Sequence, residues 1–144
     1  MLKVSKLADY GVMIVLKFAQ NPERLYSATE LISMTGLNLP TVRKIVKLLS
    51  ISGILLARRG ADGGYALAKH IGFISVLDVV ESIDGQLAFT ECCAQSFKSC
   101  SVGNCQMGSY WHAINKKVRA TLSEFAIEDL IKKPYNDKEI MQHG

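Results

Sequence analysis

The sequence predicts a mainly α chain, a winged helix-turn-helix with a two-stranded wing, followed by a cysteine loop and a long C-terminal dimerisation helix. Three observations predict it. Two short helical patterns are joined by a glycine-containing turn near residue 36. A short apolar strand, an Arg-Arg-Gly turn and a returning strand follow over 54–67. All four cysteines then fall within 14 consecutive residues, ahead of an apolar seam at helical spacing. The 144 residues suffice for one compact domain with an appended element, and 49% apolar content supports a packed core. The expected division is a winged-helix domain over 1–84, the cysteine loop over 85–108, the dimerisation helix over 109–133 and a polar tail over 134–144.

The first helix is expected over 6–20. Ser5 can cap it, and Leu7, Tyr10, Ile14 and Phe18 form a stripe. Val12, Met13, Val15 and Leu16 widen that stripe nearly to a full circle, so the helix is buried on more than one side. Asn21-Pro22 ends it. Ser27 and Glu30 have capping-box spacing, which starts a short helix running to about Thr35 and burying Leu31 and Ile32; Gly36 stops it. The next helix runs from about Leu39 to Ser50. Asn38 is its cap, and Pro40 is tolerated in the first turn. Val42, Ile45, Val46 and Leu49 form its buried stripe, and Thr41, Arg43, Lys44 and Lys47 point elsewhere. Gly53 is a natural stop.

Ile54–Ala57 and Tyr65–Leu67 read as strands, joined by a charged, glycine-rich turn. The glycines let the tip turn sharply and approach another backbone closely. Folding does not need arginines there. Arg58 and Arg59 are better explained by phosphates or a narrow minor groove. Charge supports that reading: residues 1–60 hold nine Lys/Arg against three Asp/Glu, whereas 61–144 hold eight against ten. A basic N-terminal half is the electrostatic footprint of nucleic-acid binding.

A further short helix is expected over Ser75–Ile83, burying Val76, Leu77, Val79 and Val80, with a turn at Asp84-Gly85. The segment 90–108 has no period and reads as a loop. From about Ser109, Trp111, Ile114, Val118, Leu122 and Phe125 recur at steps of three or four. This narrow seam either packs on its own domain or pairs with a second copy.

Cys92, Cys100 and Cys105 are separated by seven and four residues, and Cys93 adjoins the first. Thiolates are soft ligands that suit zinc, copper(I) and iron–sulfur clusters. Paired Cys-x2-Cys knuckles, the usual mark of structural zinc, are missing. Three irregularly spaced cysteines suit a cluster whose fourth ligand lies elsewhere. Spacing alone does not separate zinc from a cluster, and Asp9, Glu91, Cys93 and His112 are all candidate fourth ligands. A thiol redox enzyme is disfavoured, because the Cys-x-x-Cys on a βαβ pattern is lacking. No apolar run approaches the roughly 20 residues that span a bilayer. With no signal-peptide pattern at the N-terminus, a cytoplasmic protein is expected, with no membrane partner and no small-molecule substrate.

Taken together, the opening 1–11, the wing Arg-Arg-Gly-Ala-Asp-Gly-Gly-Tyr-Ala-Leu-Ala, the Ile-Ser-Val-Leu-Asp-Val-Val-Glu segment, Thr-Glu-Cys at 90–92, Cys100, Cys105 and Trp-x-x-Ile-Asn at 111–115 resemble the IscR/NsrR family of winged-helix iron–sulfur regulators. The likeness is greatest to the branch that regulates the SUF iron–sulfur assembly operon. The resemblance implies a homodimer with crossed long helices and double-stranded operator DNA as partner. It implies an iron–sulfur cluster on Cys92, Cys100 and Cys105, with 2Fe–2S favoured over 4Fe–4S. It implies major-groove reading by the 38–47 helix, with Asn38, Pro40, Thr41, Arg43, Lys44 and Lys47 as candidate contacts. It also implies minor-groove insertion by Arg59, beside Arg58. IscR-type members place a His three residues after the last cysteine, where this chain has Gly108. NsrR-type members use an Asp from the first helix of the other protomer, and Asp9 falls there. Asp9 is therefore the expected fourth ligand, and Cys93 an addition to the pattern. A nitric-oxide-sensing repressor of the same fold and a zinc-stabilised DNA-binding protein are the alternative readings.

Overall fold

The structure is a computed structural model of the chain and describes residues 3–94 and 105–132. Cys100 and the tail over 134–144 lie outside the described residues. Helix α1 (Lys6–Gln20) is capped by Ser5, whose hydroxyl accepts the Ala8 N–H at 3.0 Å. Ile14, Val15 and Phe18 are fully buried and make α1 the centre of the core. Helix α2 (Ala28–Thr35) begins at a full capping box between Ser27 and Glu30 and ends at Gly36 in the left-handed region. Helix α3 (Leu39–Ile51) buries Val42, Ile45, Val46 and Leu49. Strands β1 (Leu55–Arg58) and β2 (Gly64–Leu67) form the antiparallel wing, with Leu55 opposite Leu67 and Arg58 opposite Gly64.

The wing is tied to the helices by a second pairing. Tyr26 and Tyr65 exchange backbone hydrogen bonds at 2.9 Å each, just before α2 begins. This close approach explains Gly64. A Cβ there would stand 2.7 Å from the Tyr26 carbonyl oxygen, and φ is +156°. Gly63 is equally constrained, with the Arg58 carbonyl oxygen 2.3 Å from where a Cβ would be.

Helix α4 (Val76–Asp84) starts at a capping box between Ser75 and Asp78. A 3-10 turn at Ile71–Phe73, which the sequence pattern does not predict, precedes it. Two further differences concern the C-terminal third. The cysteine segment is not wholly irregular, because Glu91–Cys93 form a 3-10 turn. The single helix expected over 109–133 is two helices, α5 (Gly108–Glu124) and α6 (Ile127–Lys132). Tertiary packing makes the break. The Val76 N–H donates to the Phe125 carbonyl at 2.9 Å, and the Ile127 N–H donates to the Ile74 carbonyl at 2.8 Å. These bonds pull the chain into an antiparallel bridge between Ser75 and Ala126 and bury Ile127 completely in the core. α6 then packs on α1, so it belongs to the winged-helix body rather than to a free extension.

α5 is attached differently. Of its 17 residues only Asn115 is buried. Its Oδ1 accepts the Phe89 N–H at 3.1 Å, and Arg119 forms an ion pair with Glu81 of α4. Trp111, Val118 and Leu122 are half-buried, while Tyr110 and Ile114 are exposed. Among the described residues, no helix is long and apolar enough to cross a membrane.

Candidate nucleic-acid interface and cysteine site

α3 is two-faced. Its apolar stripe enters the core, and Arg43, Lys44 and Lys47 are exposed on the other side. No acidic residue occurs in this helix. Arg58 ends β1, and Arg59 stands in the exposed turn. Among the described residues, the ion pairs involve none of these five cations. Arg24, another cation of the basic half, is by contrast engaged. It pairs with Glu30 at 2.7 Å and lies 4.7 Å from the Tyr26 ring centroid. α3 and the wing thus present five exposed cations outside these ion pairs, where phosphates can reach them.

Three expected contact residues have structural duties as well. Asn38 is exposed, but its Oδ1 caps α3 by accepting the Thr41 N–H at 2.9 Å. Its amide NH2 and the second lone pair of Oδ1 are left for other partners. Pro40 is exposed in the first turn, and Thr41 is half-buried.

Cys92, Cys93 and Cys105 are free thiols. Cys92 is half-buried, Cys93 is 7% exposed and Cys105 is exposed. An extended loop would send the Cys92 and Cys93 side chains to opposite sides. The 3-10 turn does not. Thr90 Oγ1 lies 2.8 Å from Cys92 Sγ and donates to Cys93 Sγ at 3.4 Å, so both sulfurs meet one hydroxyl. Thr90 and Asn115 entered the sequence reading only as members of the Thr-Glu-Cys and Trp-x-x-Ile-Asn motifs, with no contact assigned to either.

Asp9 is exposed on α1, in a groove lined by Val12, Val80, Leu122 and Leu130 and by none of the described cysteines. Cys93 faces a different cavity, which it shares with His112, Asn115 and Arg119. Among the described residues, no three His, Cys, Asp or Glu side chains are gathered closely enough to hold a metal ion. The donor chemistry nevertheless fits a cluster. Cys92 and Cys105 are free, solvent-accessible thiols flanking residues 95–104, and soft sulfur suits iron–sulfur centres.

Comparison with known proteins follows the same lines. The sequence profile of the Rrf2 family, described as an iron-dependent transcriptional regulator, matches residues 4–133. The HTH-type transcriptional regulator IscR of Klebsiella pneumoniae is 24% identical over 142 residues, covering 97% of this chain and 83% of the relative. The protein rrf2 of Nitratidesulfovibrio vulgaris is 25% identical over 132 residues, covering 91% and 88%. Among solved structures, T. potens IscR superposes with a TM-score of 0.68 at 25% identity, covering 93% of this chain and 89% of that one. CymR, the global cysteine regulator of B. subtilis, superposes with a TM-score of 0.69 at 24% identity, covering 90% and 96%. With the profile spanning nearly the whole chain and a mainly helical winged-helix architecture beneath it, this chain belongs to the Rrf2 family of transcriptional regulators.

Proposed function

We propose that this chain is a cytoplasmic, homodimeric regulator that binds operator DNA through α2, α3 and the wing and senses iron–sulfur status through a cluster. Cys92, Cys100, Cys105 and the partner's Asp9 would hold the cluster, with 2Fe–2S favoured. Control of iron–sulfur assembly (SUF) genes is the proposed output. When bound, the cluster supplies a state that depends on iron supply and redox conditions.

One observation carries the reading. The turn bearing Cys92 and Cys93 packs on α5, α5 packs on α4, and α4 packs on α3. Asn115 and Arg119 are the polar fasteners of this chain of contacts, to Phe89 and Glu81 respectively. A change in the cysteine turn therefore has a continuous path to the cation-bearing helix. Such a path matters only if the element has two arrangements that a ligand can bias. Asp9 supports an intermolecular ligand, because it lies in a groove with Leu122 of α5 and apart from the chain's own described cysteines.

Anaerobic purification followed by iron, sulfide and visible-absorbance analysis tests the cluster. Gel shifts on cluster-loaded and cluster-free protein test its control of DNA binding. Stoichiometric iron and acid-labile sulfide, with affinities that differ between the two forms, is the expected result. Zinc without sulfide, or equal affinities, would sink the sensing role. Exposure to nitric oxide in the same assay separates the alternative signal.

A further inference from the structure

The first turn of α3 exposes an apolar side chain that folding does not explain. Leu37, just before the helix, packs against the core. Leu39 does not join that core and is 37% exposed. Pro40 beside it is exposed as well. Nearby, Asn38 Oδ1 takes the Thr41 N–H, and Thr41 is half-buried. Arg43, Lys44 and Lys47 follow on the exposed side, and no acidic residue interrupts them. An apolar tip backed by cations is thus presented at the N-terminal end of the helix.

That end is where a recognition helix meets base edges. In the major groove most base-edge groups are hydrogen-bond donors or acceptors, and the apolar feature is the C5-methyl of thymine. A leucine pressed against a guanine or adenine edge would leave polar groups unpaired, at a cost. Against a thymine methyl the contact is apolar on both sides. We infer that Leu39, with Pro40 beside it, is a specificity-determining residue that reads a thymine methyl in each operator half-site. The cations beyond it grip the neighbouring phosphates. This rests on the proposed role of α3 as the recognition helix.

Duplexes enriched from a randomised library by the full chain, cluster-loaded and cluster-free, supply the probe. Each thymine of the tightest duplex is then replaced by deoxyuridine, which pairs identically but lacks the methyl. Replacing the contacted thymine in one half-site should weaken wild-type binding about threefold to fivefold, the loss of one buried methyl, and replacing it in both about tenfold to twentyfold. Leu39→Ala should bind more weakly and be indifferent to that same replacement. Leu39→Met, which keeps an apolar side chain, should retain the sensitivity. Tight wild-type binding that ignores every deoxyuridine overturns the role of Leu39 and leaves DNA binding intact. So does a Leu39→Ala variant that still senses the methyl. Failure to enrich any duplex with either form overturns the recognition-helix reading itself, and this inference with it.

Discussion

The hydroxyl of Thr90 lies 2.8 Å from the sulfur of Cys92, and the same oxygen reaches Cys93 Sγ at 3.4 Å. A hydroxyl has one proton to give and can also accept. While it donates to Cys93, the Cys92 thiol can donate to it. Once Cys92 is a thiolate, a charge-assisted bond from Thr90 is the stronger choice. Thr90→Val should therefore speed cluster loss in air without lowering the melting temperature of the cluster-free protein. Absorbance decay checks the first effect, and thermal unfolding the second. Decay at the wild-type rate would reduce Thr90 to a packing residue.

The same geometry sharpens the cysteine series. Because both sulfurs meet one hydroxyl, the choice between them rests on burial: Cys92 is half-buried and Cys93 is 7% exposed. Cys92→Ser, Cys100→Ser and Cys105→Ser should each abolish or badly weaken the cluster, because a serine oxygen is a poor ligand for iron compared with sulfur. Cys93→Ser should keep the colour. Asp9→Ala should form a cluster with altered absorbance and faster loss. A Cys93→Ser protein that is colourless beside a coloured Cys92→Ser would exchange the two roles.

α5 gives a prediction about assembly. The helix packs on α4 and the cysteine turn but buries one of its 17 residues, and helical stability in proteins comes mostly from packing an apolar face. Tyr110 and Ile114 are exposed on it, and a second copy would cover them. Ile114→Glu should leave the winged-helix body folded and shift the protein from dimer to monomer in sedimentation at micromolar concentration. A wild-type chain that is already monomeric, with and without cluster, would remove the dimer from the proposal.

The sequence was most informative where local chemistry decides the structure. Ser5, Ser27 and Asn38 cap the helices that their spacing predicts, and Gly63 and Gly64 mark the wing because backbone crowds both positions. It was least informative where distant parts meet. The seam from Trp111 to Phe125 predicts one long helix, because periodicity carries no trace of the bonds from Val76 and Ile127 that break it. Likewise, the segment 90–108 reads as an aperiodic loop, since nothing in Glu-Cys-Cys announces the 3-10 turn at Glu91–Cys93. Asp9 was preferred over the other candidate ligands only through a resemblance, and the groove it lies in forms from α1, α4, α5 and α6 together.

The α2 capping box should make stability pH-dependent. The backbone N–H of Ser27 holds the Glu30 carboxyl below its ordinary value of 4.5, helped by the Ser27 side chain and by Arg24. A depressed folded-state value means that the contribution is present above the unfolded value and is lost as pH falls through the folded one. Melting between pH 7 and pH 3 should show a wild-type decline that Glu30→Gln flattens. Ser27→Ala, which deletes the cap, should cost about 1 kcal/mol at pH 7. Identical pH profiles for wild type and Glu30→Gln would place the acid sensitivity elsewhere.

The wing and α3 should separate by the kind of DNA contact each makes. Arg59 is exposed in the turn and makes no ion pair among the described residues, so removing its side chain should leave folding within a few tenths of a kcal/mol. A guanidinium in a narrow minor groove responds to groove width, which depends on sequence. Arg59→Ala should therefore lose on the order of 1–3 kcal/mol on the tightest duplex and less on one with a wide minor groove under the wing. Lys47 sits on the exposed face of α3, where a phosphate contact is sequence-blind. Lys47→Ala should weaken both duplexes alike and lower the slope of log affinity against log salt by about two, one for each protomer. Both variants are compared at matched salt on both duplexes. Equal losses for Arg59→Ala on the two would make the wing a phosphate clamp, and an unchanged affinity would take it out of the interface.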